Sequence, residues 1–566
     1  MRRRVIAGGA LRISVGCASI GLLGSVSCTV LAQVPPDAGQ IQEQLRLPVP
    51  PPASKPSEIR IAPPTADKQA DSPPFYVAGF RVSGATVFAA QPLLEVLGPA
   101  GRDLTLAQVQ ERADRLTKFY KNGGYVVARA LVPAQDVRDG IVEIQVLEGR
   151  YGVIDIRNAS DVSEQRIRDL LGEIKEGVLI HGPTLEKRIL LVSDLAGIQP
   201  KAALEPGQAT GLSDLVLEIG AGQAREYSVT ADNAGNRFTG KNRLSGTFVW
   251  NSPAGIGDRL TASAITSGEG LLSMRVAYDL PAGSSGQRAG LHIARTTYLL
   301  GEDFRSLDAH GTADVLGASF AFPLIRSSAL NVRAVAAGEA RRLEDVVSAI
   351  SSVNNKRADL AQFGIGGDVR DSFLGGALTA FQGTLTRGKL KLDTPTFADI
   401  DAAGPQTQGG YGKFVANLYR LQGLSENWRL GASYTGQWAS KNLDSSEKFS
   451  VGGLTGVRAY PLGEAAGDDV QLLQLELRHQ GGRLGPGQIS PFVFLDAARS
   501  RIVHNDFTTS TVKNVRDLAG YGLGAEWTVP GFGYVRCWLA LKGTSDPATS
   551  DTDRHARFWV QAGVAL

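Results

Sequence analysis

The chain has 566 residues, of which 43% are apolar and 20% charged, and its 59 basic and 56 acidic side chains leave a formal net charge of only +3. This balance excludes a surface built for nucleic-acid binding, which needs a strongly basic patch or domain. The three Cys and six scattered His residues show neither a disulfide framework nor metal-ligand spacing. We therefore expect no metal and no cofactor.

The N-terminus carries the features of an export signal. Arginines at positions 2–4 are followed by a mostly apolar stretch that continues to residue 31. Small residues then predict cleavage after Ala32, which gives a signal peptide over 1–32. A permanent anchor is disfavoured because Gly and Ser dilute the stretch, and a lipoprotein signal because Ser25 stands where Leu should precede Cys28. No later run of about 20 apolar residues offers a transmembrane helix.

Residues 33–74 form a proline-rich lead, most of which we expect to be extended linker. One stretch, 37–46, is polar and free of proline. Asp37 can serve there as the N-cap of a short helix. The alternative for this stretch is a disordered tail.

The segment 75–149 predicts a small α+β domain. A capping-box pattern at Thr105 and Gln108 begins a helix with apolar residues at helical spacing, and Gly123 follows its end. In chain order we predict a strand at 75–82, a helix at 91–97, the capped helix, and strands at 125–132 and 141–147. The element order is therefore β-α-α-β-β.

The same order recurs in 150–221. We predict a strand at 151–156, helices capped by Ser163 and Thr184, and closing strands at 200–204 and 214–219. Two successive units of about 75 residues with one element order indicate a repeat of structure rather than of sequence.

In residues 222–566 the helical periodicity ends, and apolar and polar residues alternate along the chain instead. Trp428, Leu430 and Trp438 share one face of a predicted strand, and Arg429 and Gln437 share the other. This pattern is typical of a lipid-facing strand that crosses two aromatic girdles. We count sixteen candidate strands in this part of the chain, which is consistent with an even-numbered barrel.

A soluble β-sandwich is the alternative, because its strands also alternate. Such a sandwich is not expected to direct Glu476 and Arg478 inward beside an apolar outer face. The export signal and the alternating last strand, which ends at Leu566, together favour an outer-membrane barrel, whose closure removes all sheet edges.

Two segments inside the predicted barrel stand out. Residues 449–469 are too glycine-rich for a strand and contain Arg458. In the second segment Phe492, Phe494 and Asp496 alternate with apolar residues, so Asp496 faces the lumen if the apolar face meets lipid. Arg458 is a natural partner for this carboxylate. From the pattern alone, a solvated loop arginine and an ordinary pore-lining aspartate remain an alternative.

Several short motifs in this chain match those of one known family. Three lie in the predicted N-terminal modules, at Gly84–Phe88, Tyr120–Tyr125 and Val146–Gly149, and two at the start of the predicted barrel, at Asp232–Gly235 and Asn251–Asp258. A loop motif Val-Arg-Gly-Tyr is matched by Val457, Arg458, Ala459 and Tyr460, and a strand motif Phe-x-Asp-x-Gly by Phe494, Asp496 and Ala498. In this ordered combination the chain resembles the two-partner secretion transporters (TpsB), also called hemolysin secretion/activation proteins, of the POTRA–β-barrel superfamily. In that family the first three segments are POTRA motifs and the loop motif belongs to the lid loop.

The resemblance implies two periplasmic POTRA domains, 75–149 and 150–221, followed by a 16-stranded antiparallel transmembrane β-barrel over 222–566. It also implies a lid loop at about 443–469 that folds inward and pairs Arg458 with Asp496. Two residues depart from the motifs, since Ala459 and Ala498 replace glycines. Alanine would be strained at either place if the backbone needed a positive φ.

The implied function is secretion of a large, unfolded partner exoprotein of adhesin or hemolysin type across the outer membrane of a Gram-negative bacterium. The exoprotein would bind through its N-terminal secretion domain to strand edges of the POTRA domains. The other expected partners are outer-membrane lipid and the barrel assembly machinery, without nucleic acid, and the transporter is expected to be a monomer. The candidate edge residues are Val126, Val127, Ala128, Arg129, Lys201, Ala202 and Ala203.

Three alternatives remain. An assembly or insertion factor of the same superfamily usually carries more POTRA domains, whereas two indicate secretion. A passive porin or receptor would not need periplasmic modules. An enzyme is disfavoured because no His lies in a convincing Ser/His or Asp/His motif.

Overall fold

The computed structural model describes residues 36–45, 59–61, 72–507 and 513–565. The predicted signal peptide over 1–32, most of the proline-rich lead and the terminal Leu566 lie outside these residues. Helix α1 (Ala38–Gln44) and strand β1 (Ile59–Ile61) are the described elements of the lead. Among the described helices, none is both long enough and apolar enough to cross a membrane.

The first module is built around one long helix and a three-stranded sheet. Thr105 and Gln108 form the predicted capping box at the start of this helix, where the Thr105 side chain accepts a hydrogen bond from the Gln108 backbone. Strand β6 lies between β3, to which it is parallel, and β5, to which it is antiparallel. The elements are β2 (Phe75–Val77), β3 (Gly79–Ser83), α2 (Ala90–Leu97), β4 (Arg102–Leu104), α3 (Leu106–Asn122), β5 (Arg129–Leu131) and β6 (Ile141–Leu147).

The second module repeats the order and has its own apolar core under two helices. Its sheet has the strand order β1-β8-β9-β7, so a strand of the lead joins it at one edge. The elements are β7 (Arg150–Asn158), α4 (Glu164–Leu171), α5 (Gly182–Ser193), β8 (Ile198–Pro206) and β9 (Leu212–Ala221). The predicted cap at Thr184 is wrong, because His181 occupies the N-cap position and Pro183 lies in the first turn of α5, where its fixed φ favours helix initiation.

The predicted strand at 125–132 begins only at Arg129. The preceding residues form a turn against the second module, where the Gly182 N–H donates to the Gly124 carbonyl over 2.8 Å. Val126 and Val127 pack on the core of that module. Tertiary packing between the modules therefore overrides the β propensity of this segment.

The remainder of the chain forms one closed antiparallel barrel in which β10 pairs with β26. The short β22 pairs with β23 beside β21, so sixteen strands complete the barrel as predicted. Helix α6 (Pro395–Ala403) lies between β18 and β19. The strands are β10 (Arg225–Asp232), β11 (Arg243–Asn251), β12 (Arg259–Thr266), β13 (Leu271–Ala282), β14 (Gln287–Leu299), β15 (Ala309–Arg326), β16 (Leu330–Val347), β17 (Ser352–Asp371), β18 (Ala377–Leu392), β19 (Gly409–Gly423), β20 (Trp428–Ala439), β21 (Asp469–His479), β22 (Gly482–Leu484), β23 (Gly487–Arg501), β24 (Val515–Val529), β25 (Gly533–Lys542) and β26 (Ala556–Ala565).

The alternation along β23 fixes which side chains face the lumen. Val493 and Leu495 are 53% and 50% exposed on the outer face, whereas Phe494 and Asp496 are 5% and 0% exposed. Successive side chains of a strand point to opposite faces, so Asp496 points into the barrel. The outer face is apolar, as a lipid-facing surface requires.

Candidate functional site

The segment between β20 and β21, residues 440–468, is the lid loop, and it folds into the barrel. Val451, Val457, Ala459 and Tyr460 are all 0% exposed. An isolated bridge between Phe449 and Gly467 closes its stem. The loop begins slightly earlier than the predicted 443, because β20 ends at Ala439.

Arg458 at the inner part of the lid loop contacts Asp496 on the wall. Its Nη2 lies 2.7 Å from Asp496 Oδ1 and its Nε 2.9 Å from Oδ2. The Arg458 backbone N–H also donates to Oδ2 over 3.0 Å. This two-pronged geometry matches the planar guanidinium to the carboxylate. The predicted pair is therefore in contact, and its role in secretion stays a prediction.

A second carboxylate completes the arginine site. Arg458 Nη1 lies 2.9 Å from Glu476 Oε2 on β21, and the guanidinium carbon lies 3.7 Å from the centroid of the Phe494 ring. Trp559 Nε1 donates to the Arg458 carbonyl over 2.7 Å. The sequence indicated that Glu476 faces inward but gave no signal that it would share Arg458.

The motif alanines are accommodated without backbone strain. Among the described residues with positive φ, neither Ala459 nor Ala498 is found. The Ala459 methyl instead lies against Gly520 of β24, where an added Cβ would stand 2.6 Å from the Ala459 Cβ. The wall glycine thus provides the space that the loop alanine occupies.

The far part of the lid loop is bound to the loop that joins β25 and β26. Tyr460 Oη lies 2.8 Å from Thr544 Oγ1. The fully buried Glu464 accepts the Ser550 N–H over 2.9 Å and pairs with Arg516 Nη1 over 2.9 Å. These contacts hold the loop at several points besides Arg458.

Helix α1 also lies inside the barrel, where Asp37 forms its N-cap as predicted. Asp37 Oδ2 lies 2.9 Å from the nearly buried Lys356 Nζ of β17 and accepts the Ser445 hydroxyl of the lid loop. The Ala38 N–H donates to Asp345 Oδ1 of β16 over 2.7 Å. One end of the helix therefore contacts both the wall and the lid loop.

Close packing reinforces this position. A Cβ added to Gly39 would stand 2.6 Å from the Ser446 Cβ, so only glycine fits against the lid loop at this point. Farther along the helix, Thr296 of β14 donates its hydroxyl to Gln42 over 2.7 Å. The lid loop and α1 thus contact each other within the lumen.

The predicted client-binding residues occupy three different environments. Val126 and Val127 are half-buried between the modules, and Ala128 is buried in the core of the first module. Their assignment to an exposed strand edge is therefore wrong, because they precede β5. Arg129 begins β5, whose second edge carries no described partner strand.

Lys201, Ala202 and Ala203 lie on β8, as predicted, but β8 is paired on both sides. Its antiparallel neighbour is β9 and its parallel neighbour is β1 of the lead. The predicted free edge is thus covered by this chain's own backbone. In the part of the chain that the structure describes, no group of three His, Cys, Asp or Glu side chains is arranged to hold a metal ion.

Comparison with known proteins assigns most of the chain. Residues 211–527 match the family described as haemolysin secretion/activation protein ShlB/FhaC/HecB. Residues 75–149 match the ShlB-type POTRA domain. A heme/hemopexin transporter protein, HuxB of Haemophilus influenzae strain 86-028NP, is 26% identical over 565 residues, which cover 97% of this chain and 98% of the relative.

Solved structures show the same fold. CdiB from Escherichia coli has a TM-score of 0.70 at 21% identity and covers 89% of this chain and 93% of its own. BamA from Haemophilus ducreyi without POTRA domains 1–3 has a TM-score of 0.50 at 14% identity, with 87% and 100% coverage. At these identities the likeness concerns the fold alone.

A closed sixteen-stranded barrel that follows POTRA modules and holds an inward loop defines an outer-membrane POTRA–β-barrel transporter. The chain belongs to the haemolysin secretion/activation family ShlB/FhaC/HecB, whose match spans more than half of its length. It is therefore an outer-membrane pore that secretes a partner exoprotein, with its POTRA domains in the periplasm. The predicted family, fold class and function are confirmed.

Proposed function

We propose that the exoprotein crosses through the barrel lumen after α1 and the lid loop have moved. The observation that carries this proposal is the mutual contact of α1, the lid loop and the wall around Asp37, Ser445 and Lys356. A chain in transit needs the same space. Opening must therefore break these contacts, whereas the Arg458 site attaches the inner part of the loop to the wall.

The helix is the easier of the two to displace. It has seven residues, about 10 Å of length at the usual helical rise, and three of them are buried. The lid loop by contrast places Val457, Ala459 and Tyr460 in an apolar cluster with the wall. We infer that α1 leaves first and that the lid loop then shifts while Arg458 retains its carboxylates.

Capture of the exoprotein precedes its passage. We infer that its N-terminal secretion domain pairs as an extended strand with the first POTRA module, at the edge of β5 that carries no described partner strand and begins with Arg129. Strand addition suits an unfolded client because its backbone groups are unpaired. The client is of adhesin or hemolysin type.

We propose the remaining partners as well. The barrel closes through its own β10 and β26, so one chain is sufficient for a pore and the transporter acts as a monomer. Its apolar outer face contacts outer-membrane lipid. Insertion proceeds through the barrel assembly machinery after removal of the signal peptide over 1–32. The linker over 33–74, the POTRA domains over 75–149 and 150–221, and the barrel over 222–566 are its mature parts.

The test is co-expression of this chain with its client, sought among the large exported repeat proteins of the same genome, in a Gram-negative host that lacks both. We expect the exoprotein in the medium only when the chain is present. A chain that carries Asp496→Ala should insert but secrete poorly. Exoprotein that remains in the periplasm beside the inserted wild-type chain would contradict the proposal.

A further inference from the structure

A cavity lies at the outer end of the barrel, where β10 and β26 meet. Strand β9 of the second module leads directly into β10, so the far end of β10 is the extracellular end. The walls of the cavity come from the loop between β10 and β11, the lid loop, and the loop between β25 and β26 with the first residues of β26. Its volume is about 190 Å³. Since one water molecule takes about 30 Å³ in the liquid, the cavity has room for a group of several heavy atoms.

The walls of this cavity carry more positive than negative charge. Its cationic lining residues are Arg237, Lys241, Arg554 and Arg557, and its one acidic lining residue is Asp551. The Asp551 Oδ2 lies 3.2 Å from Arg557 Nη1 and 3.4 Å from Lys241 Nζ. Its Oδ1 lies 3.9 Å from Arg237 Nε. A single carboxylate therefore holds several cations together without neutralising all of them.

Arg237 has further acidic partners, because its Nη2 lies 2.8 Å from Asp303 Oδ2 and 3.9 Å from Glu302 Oε2. Arg554 is exposed and forms no ion pair with any residue that the structure describes. Lys241 is also exposed, and Asp551 is its sole acidic partner in the described chain. Lys241 and Arg554 can therefore take up an added anion without losing another strong contact.

Arg557 supplies a donor that lacks an acceptor. Its side chain is 9% exposed, and its Nη2 donates to the Thr552 carbonyl over 2.8 Å. Its Nε is buried and has no hydrogen-bond partner among the described residues. Buried polar groups are almost always paired, so an unpaired one indicates a missing partner. Because Arg557 lines the cavity, an anion bound there satisfies this N–H group.

The cavity lies at the level of the membrane surface. Phe558 also lines it and is 57% exposed on the outer face of the barrel. Leu539 stands opposite Phe558 on β25 and is exposed as well. Aromatic residues near the ends of lipid-facing strands mark the boundary between lipid and water. The head groups of the outer leaflet lie at this boundary, and those of lipid A carry phosphates.

We propose that this cavity binds a phosphate group, with Lys241, Arg554 and Arg557 as its ligands. Guanidinium groups bind phosphate oxygens through paired N–H donors, and an ammonium group adds a point charge. Asp551 is a positioning residue, because it holds Lys241 and Arg557 together. The bound phosphate joins the lid loop to the loops on both sides of the β10–β26 pairing. This inference concerns the barrel alone and does not depend on the identity of the exoprotein.

Thermal unfolding of the purified full-length transporter tests the site. A ligand that binds only the folded state raises the unfolding temperature, which heat-modifiable mobility can follow. One probe is sodium phosphate, added to the transporter in a zwitterionic detergent. The other is bisphosphorylated lipid A in nanodiscs of zwitterionic phospholipid, with dephosphorylated lipid A as its control.

We expect sodium phosphate and bisphosphorylated lipid A to raise the unfolding temperature, and dephosphorylated lipid A to leave it unchanged. Protection by sodium phosphate alone would retain the site and assign it to the free ion. Protection by neither probe, or equal protection by both forms of lipid A without any effect of sodium phosphate, would overturn the proposal.

The variant Lys241→Gln with Arg554→Gln removes two exposed cations from the cavity. The affinity for phosphate, taken from the concentration dependence of the unfolding temperature, should fall about fivefold for each cation and about 25-fold for both. The matched control is Arg499→Gln with Arg501→Gln, two exposed cations at the extracellular end of β23. It should bind phosphate like the wild type. An equal loss in both variants would indicate general attraction to a cationic rim and would overturn the site.

A third variant tests the unpaired donor. Arg557→Lys keeps a positive charge beside Asp551 but removes the Nε–H group. Its affinity for phosphate should fall about tenfold, as expected for the loss of a hydrogen bond to a charged group. The readout is the change that phosphate causes in the unfolding temperature, so a change in the stability of the phosphate-free barrel does not affect it. Wild-type affinity in Arg557→Lys would contradict the role of this donor.

Discussion

At the scale of single residues, Arg458 joins the lid loop to the wall of the pore. It is nearly buried, and its charge is shared by Asp496 and Glu476. Removal of one partner from a buried pair costs about 3–5 kcal/mol, since the other charge is left uncompensated. Glu476 also pairs with Arg478 over 2.7 Å, so the site is a network and not an isolated bridge.

We expect Arg458→Ala and Asp496→Ala each to impair secretion strongly while the barrel still inserts. The loop would lose its attachment, whereas strand pairing does not depend on it. Secretion measured in a double-mutant cycle should show that the double variant is little worse than either single one. If the losses of secretion in the two single variants multiply in the double variant, Arg458 and Asp496 are not coupled.

The matched control for this cycle is Arg499→Ala on the same strand as Asp496. Arg499 Nε lies 3.7 Å from Asp517 Oδ1, and both side chains are more than 60% exposed. Exposed ion pairs contribute about 0–1 kcal/mol. This variant should therefore secrete like the wild type.

The contact of Ala459 with Gly520 predicts a rescue. Gly520→Ala should displace the lid loop and lower secretion, because the two methyl carbons would overlap at 2.6 Å. Ala459→Gly in the same chain should restore secretion by moving the methyl group to the wall. Gly520 is not one of the described glycines with a positive φ. The expected effect of Gly520→Ala is therefore purely steric. Failure of the double variant to recover would contradict it.

Prediction from sequence reached some of these residues and missed others for physical reasons. Asp496 was found because the strand period of two fixes the face of every residue once one face is apolar. Gly520 and Trp559 were not, because their contacts with the lid loop depend on how distant segments fill the lumen. Local pattern carries no information about such packing.

At the scale of elements, the three POTRA-like motif segments of the first module are joined by one buried carboxylate. The segments around Gly84, Tyr120 and Val146 meet at Glu148, which is 5% exposed. Its carboxylate accepts the Thr86 N–H over 2.6 Å, the Val87 N–H over 2.8 Å and the Tyr120 hydroxyl over 3.0 Å. Burial raises the pKa of Glu148, but the hydrogen bonds from Thr86, Val87 and Tyr120 outweigh it and hold the pKa below its usual value.

Stability of this module should therefore depend on pH. A lowered folded pKa means that the Glu148 contribution is present above the unfolded pKa of about 4.3 and is lost as pH falls through the folded value. Glu148→Gln should lower the free energy of unfolding by about 1.5–3 kcal/mol at neutral pH. Hydrogen exchange of the Thr86 and Val87 amides should show the difference between wild type and variant shrinking below about pH 4.

The exposed Glu95 provides the control for that measurement. Glu95→Gln on α2 changes one surface carboxylate in the same module. It should leave both amides as protected as in the wild type at every pH. A difference between wild type and Glu148→Gln that stays constant down to pH 3 would contradict the assignment.

Helix α1 gives a prediction about conduction. Deletion of 33–58 removes α1 but keeps β1, and it should raise single-channel conductance in planar bilayers because the helix occupies part of the lumen. Secretion should remain largely intact, since both modules and the proposed client-binding edge of β5 stay in place. The deletion variant should insert normally, and unchanged conductance would mean that α1 does not obstruct ions.

Elements were predicted where local rules decide and missed where neighbours decide. The capping box of α3 is a local signal and was found at Thr105. The segment before Arg129 has high β propensity, yet contact with the second module holds it in a turn. Strand β1 has three residues, and nothing near it in the sequence indicates that β8 is its partner.

At the scale of the whole molecule, the barrel and the modules have separate tasks. Closure depends on β10 and β26, whereas the second module contacts the periplasmic turns, with Arg326 Nη2 2.7 Å from Asp194 Oδ1. Deletion of Phe75–Gly149 should leave the barrel inserted, as judged by heat-modifiable mobility, and abolish secretion. Exoprotein in the medium at wild-type levels would exclude a capture role for the first module.

The pairing of β1 with β8 also has a protective consequence. An unpaired sheet edge presents a row of N–H and C=O groups to which another extended chain can add. With β1 in place, the edge of β8 that faces away from β9 is covered by the chain's own backbone. Since β1 belongs to the same chain as β8, dilution does not weaken this cover. The second module can therefore stand in the periplasm without recruiting the exposed strands of neighbouring proteins.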